Sequence, residues 1–91
     1  MAAMSDQPAR FTEHKLLFPV TSRGESVTDV TVRRPTVADL ENSRGAGNEH
    51  AQNKRLIVDL TGLDPEAINQ LDLADYDALW EIVGNFRSAG E

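Results

Sequence analysis

Ninety-one residues with 40% hydrophobic and 26% charged side chains point to one globular domain, small enough to bury only roughly 60 to 65% of its unfolded surface. The absence of cysteine excludes disulfides, thiol catalysis and thiolate-bound zinc, and no run approaches the roughly 20 apolar residues that span a bilayer. The net charge of −6 lies in the C-terminal third: acids and bases cancel through Leu60, and beyond it seven acids face Arg87 alone. Such a surface repels phosphate backbones and suits a basic partner, or keeps an apolar patch soluble.

Residues 1–10 mix small and polar side chains without periodicity and lack the apolar core of a signal peptide. They read as a flexible tail ahead of a single domain over residues 11–91 of a soluble, intracellular protein. Over residues 13–20, Leu16, Phe18 and Val20 recur at strand period, and over 27–34 so do Val30 and Val32. Residues 21–25 between them are turn chemistry, with Gly24 free to take a positive φ, so a β-hairpin is expected. Pro19 cannot donate to a ladder, which makes its strand an edge or places a bulge there. A lone hairpin is marginal in water, so helices must cover its apolar face.

Arg34 precedes Pro35 and is biased to extended geometry, which ends the strand. Thr36 then serves as an N-cap with Asp39 three residues on, opening a short helix that Gly45 and Gly47 close. Asn48 caps the next helix, over 49–61, whose apolar residues are Leu56, Ile57 and Leu60. Gly62 stands where a left-handed C-cap belongs, and Asp64 with Pro65 opens a brief helix over 65–71, with Leu63 and Ile68 as a hydrophobic staple. Asp72 and Asp75 repeat the capping spacing for a last helix, with Leu71 and Tyr76 as a second staple. There Leu73, Tyr76, Leu79, Trp80, Val83 and Phe86 fall within an arc of about 140°. Ile82 lies just outside that arc, and Gly84 costs roughly 1 kcal/mol against alanine. Both suggest a second contact surface or close approach of a neighbouring backbone. The fold class is α+β: an N-terminal hairpin followed by a small bundle of three to four short helices.

Catalytic patterns are missing. Asp72, Asp75 and Asp77 cluster, but two of them sit at cap positions and no calcium-loop glycine and glutamate follow. His14 and His50 lack metal-ligand spacing and read as surface histidines. No serine lies in a GxSxG elbow, and Gly45 to Gly47 lacks the lysine of a phosphate loop, so a hinge between helices is the better reading. Arg33, Arg34, Lys54 and Arg55 form a basic cluster without interleaved aromatics in a chain of pI about 4.8, which argues against a nucleic-acid footprint. Trp80, the one tryptophan, suits either the core of so small a domain or an exposed anchor for a partner. The expectation is therefore no enzyme, no metal and no cofactor.

These stretches, TVRRPTVADLE (31–41) and LIVDLTGLDPEAINQLDLADYDALWEIVGNF (56–86), resemble the phage tail assembly chaperones of P2-like and Mu-like phages. Arg33, Pro35, Thr36, Asp39 and Leu40 match the first motif of that family. Leu60, Thr61, Gly62, Leu63, Pro65, Glu66, Ile68, Leu71, Asp75 and Tyr76 match the second. The likeness covers residues 11–87, and it rests on order and spacing together, since each cap or staple recurs in unrelated proteins. The resemblance implies a non-enzymatic role in the host cytoplasm, absent from the mature virion. Such chaperones coat the tape-measure protein before tail tube subunits polymerise around it. Many are also made in a longer, frameshifted form whose extension recruits the tail tube protein. Trp80, Ile82, Val83 and Phe86 are the expected partner-binding residues, because an apolar stripe is how a helical client is gripped. Several copies acting on one client imply weak self-association. The alternative is an acidic intracellular protein-binding regulator, such as an antitoxin or nucleic-acid mimic; a carrier protein is excluded because no Asp-Ser pair occurs.

Overall fold

The computed structural model describes residues 10–87. Strands β1 (Phe11–Ser22) and β2 (Glu25–Arg33) form an antiparallel hairpin, followed by helices α1 (Val37–Arg44), α2 (Glu49–Thr61), α3 (Pro65–Gln70) and α4 (Leu73–Arg87). This is the α+β order expected from the sequence. The tail expected over 1–10 lies, except for Arg10, outside the described residues.

Arg23 and Gly24 make the two-residue turn, both with positive φ (51° and 83°), the handedness that matches strand twist. Pairing is regular from Phe11↔Arg33 to Lys15↔Asp29 and resumes at Val20↔Val27. Between these points Leu16 to Pro19 stand opposite Thr28 alone, so β1 bulges where Pro19 withholds a donor. The bulge breaks the period of two and corrects the expected face. Leu16 and Val20 are buried, but Phe18, expected beside them, is 61% exposed.

The helix ends follow local chemistry. Thr36 and Asp39 form the full capping box of α1, and Asn48 accepts from the Ala51 N–H to open α2. Gly62, at φ 77°, closes α2 in the left-handed region, where a β-carbon is strained. Asp64 caps α3, with Pro65 at its first position. Helices α2, α3 and α4 cover one face of the hairpin, while α1 rests on α2. Leu16, Val20, Val30 and Val32 from the sheet meet Leu56, Ile57, Leu60, Ala67, Ile68, Leu79, Val83 and Phe86 in one core. A two-stranded sheet persists because this layer removes its apolar face from water.

Candidate functional site

The first motif is a clamp built around one carboxylate. Asp39 accepts from the Thr36 N–H at 2.8 Å and takes Arg33 in a bidentate pair, Nη1–Oδ2 2.8 Å and Nη2–Oδ1 2.9 Å. Arg33 also donates to the Asp59 carbonyl of α2 at 3.2 Å. The Arg33 hydrogen bond, outweighing burial and helped by Thr36, lowers the Asp39 pKa to about 2. One residue at the end of β2 thus fixes the start of α1 and the end of α2. The rest of the basic cluster, Arg34, Lys54 and Arg55, is similarly engaged. Arg55 pairs with Asp59 at 3.3 Å, Lys54 donates to Asn69, and Arg34 lies 5.3 Å from the Phe86 ring while donating to its carbonyl at 3.2 Å.

The second motif is anchored by a carboxylate that sequence reasoning placed wrongly. Asp72 does cap α4, accepting from the Ala74 N–H at 3.0 Å. Asp75, expected as its capping partner, is fully buried instead and turned to the hairpin. It accepts from the Leu17 N–H at 3.0 and 3.1 Å, and its Oδ1 lies 3.0 Å from His14 Nε2. Burial pushes its pKa up, but His14 and the bulge N–H groups together hold it below the ordinary carboxylate value. His14 is thereby a structural partner of α4, not the free surface histidine expected. The bulge explains both: it turns strand N–H groups out of the ladder, and the Asp75 carboxylate from α4 satisfies them.

Two more side chains close the same edge of β1. The Gln70 amide accepts from the Thr21 N–H at 2.8 Å and donates to the Thr21 carbonyl at 3.1 Å, as a neighbouring strand would. Asp64 accepts from the Arg23 N–H at 3.2 Å, and Arg23 Nη1 donates to the Gly62 carbonyl at 2.7 Å. No signal within the sequence locates these pairs, because their members are 39 to 49 residues apart.

Helix α4 divides the four expected partner-binding residues. Val83 and Phe86 are buried, 1% and 6% exposed, and belong to the core. An amphipathic arc shows which residues share a face but not how deep each lies, and so small a domain needs both to hold α4 on the sheet. Trp80 and Ile82 are half-buried, and at 100° per residue they flank that buried line on opposite sides. Trp80 packs edge-to-face on Tyr76, with ring centroids 6.4 Å apart. Tyr76 and Leu73, itself 71% exposed, line a groove of about 210 Å³ with Ile68 and Leu71. Leu73, Tyr76 and Trp80 thus form one accessible apolar flank, beside the exposed acids Asp77 and Glu81. A β-carbon at Gly84 would meet nothing within 4 Å, so of the two readings of that glycine, a second contact surface or a close backbone approach, the space around it favours the first. A second groove, of about 200 Å³, lies between Pro35, Val37, Leu40, Leu56, Val83 and Arg87.

Among the described residues, no three His, Asp or Glu side chains are placed to hold a metal, and no helix is long and apolar enough to cross a membrane. The arrangement defines a small capped scaffold that displays apolar flanks. The family of phage tail assembly chaperone proteins, E, or 41 or 14, matches residues 13–88, and the chain belongs to that family. No curated protein and no solved structure matches it. The family is described by an assembly role rather than by a reaction.

Proposed function

We propose that this protein binds the tape-measure protein of a tailed phage in the host cytoplasm and holds it until tail tube subunits polymerise around it. It catalyses no reaction and does not enter the mature virion. Family membership supports the assembly role, and the accessible flank of Leu73, Tyr76 and Trp80 is the observation that carries the client reading. An apolar stripe beside Asp77 and Glu81 suits an amphipathic helix whose own stripe is bordered by lysine or arginine. Trp80 is the anchor, Ile82 offers a second contact on the opposite flank, and Val83 with Phe86 supports the helix from below.

Co-expression with the tape-measure protein, followed by affinity capture of the soluble complex, tests this reading. Leu73→Asp and Trp80→Ala should each lower capture at least tenfold, with little change in circular dichroism, since anchor residues carry about 2 kcal/mol or more. Full capture by both variants would remove the α4 flank from the site, and no capture by the unaltered protein would remove the client.

A further inference from the structure

The groove beside the apolar flank of α4 has banks of opposite charge. His50 and Lys54 of α2 line one side, Leu73 and Tyr76 of α4 the other, and Ile68 and Leu71 lie between them. Lys54 donates to the Asn69 amide oxygen, a neutral partner, and makes no ion pair among the described residues. Across the groove, Asp77 and Glu81 follow Leu73 around α4 by about 40° and 80°, which places both on the solvent border of the flank. Neither acid is in an ion pair among the described residues. Helix ends do not account for these charges: Asp75 is the acid of the first turn of α4, and α2 has no base in its last turn. A cation on one bank and two carboxylates on the other thus enclose an apolar strip with nothing set against them.

Leu73, Tyr76 and Trp80 stand at i, i+3 and i+7 and extend along about 10 Å of α4, the length over which a docked helix offers two turns of anchors. Resting on the client reading above, we propose that the bound segment is an amphipathic helix whose apolar stripe carries acids along one border and lysine or arginine along the other. It docks in a single direction, acids toward Lys54 and bases toward Asp77 and Glu81. Turned end for end, the same helix would set its acids against Asp77 and Glu81 and its bases against Lys54, so repulsion on both banks rejects that orientation. A client with bases on both borders satisfies α4 alone.

Synthetic helical peptides with one leucine stripe and no tryptophan test this on the full chain, Trp80 fluorescence reporting binding. The peptide with glutamates on one border and lysines on the other should bind about fivefold tighter than the peptide with lysines on both. Lys54→Glu, a change at the groove rim, should reverse that preference. Exchanging the two borders of the mixed peptide should keep its affinity and reverse its direction. A nitroxide at the peptide N-terminus should then broaden the Leu73 amide signal for one arrangement and the Gly84 signal for the other. Equal affinity for all peptides, no response to Lys54→Glu, or broadening at the same end for both arrangements would each overturn the proposal. Any of these results, or peptides that do not bind, obtained while the tape-measure protein is still captured would sink the charge pattern and leave the client reading standing. Loss of that capture by the unaltered protein would remove the client reading itself, and this inference with it.

Discussion

The two halves of the hairpin are held in different ways. Toward the turn, β1 is fastened to the helices by Asp64, Gln70 and Asp75, each of which satisfies a backbone group that the ladder leaves free. Toward the open end, the backbone groups of Phe11, Glu13 and Lys15 have no partner outside the hairpin among the described residues, and Leu17 and Phe18 display apolar side chains on the bulge between. One strand therefore serves as scaffold at one end and as free edge at the other. An unpaired edge is tolerated in a folded protein when it is short or charged, and Glu13 and Lys15 supply the charge.

The sharpest break in that contrast is Asp75→Ala. It leaves the Leu17 N–H and His14 without their acceptor in a buried site, and should cost about 3 kcal/mol in urea denaturation. Asp39→Asn should cost less, about 2 kcal/mol, because Arg33 is 40% exposed and water screens part of the pair. Both carboxylates have folded pKa values below their unfolded ones, so their contributions are complete above the ordinary value of 3.8 and disappear as pH falls. For Asp39 that loss continues to about pH 2. Stability should therefore be flat through neutral pH in respect of these two groups and drop in acid, and Asp39→Asn should flatten part of the drop. Gln70→Ala should cost about 1 kcal/mol, since the Thr21 backbone groups regain water partners at the exposed edge. Leu17→Ser, on the open side of the bulge, should change stability by less than about 0.5 kcal/mol in the same measurement. A large effect there would show that the open half is packed after all.

Short-range chemistry made much of this architecture legible. The Thr36–Asp39 capping box, the Asn48 and Asp64 caps, the left-handed Gly62 and the Arg23–Gly24 turn all act within four residues, so a linear pattern carries the whole interaction. The order of hairpin and helices follows from them, because each cap states where an element begins or ends. The candidate binding surface was legible only as a helix face. Trp80, Ile82, Val83 and Phe86 share amphipathic periodicity, but period gives direction around a helix and not depth in a core.

Depth, and the fastening of the hairpin, were decided by packing. Asp75 meets the Leu17 N–H across 58 residues, and Gln70 meets Thr21 across 49. Nothing near Asp75 in the chain distinguishes a second capping carboxylate from a buried one. The bulge makes the difference, since it frees N–H groups that must find an acceptor once α4 excludes water from them. The sequence by itself determined where each element starts and stops, because those signals are local hydrogen bonds. Only the tertiary structure decided which side chains close the β1 edge, which lie in the core and which remain on the surface, because these depend on groups distant in sequence competing for the same buried space.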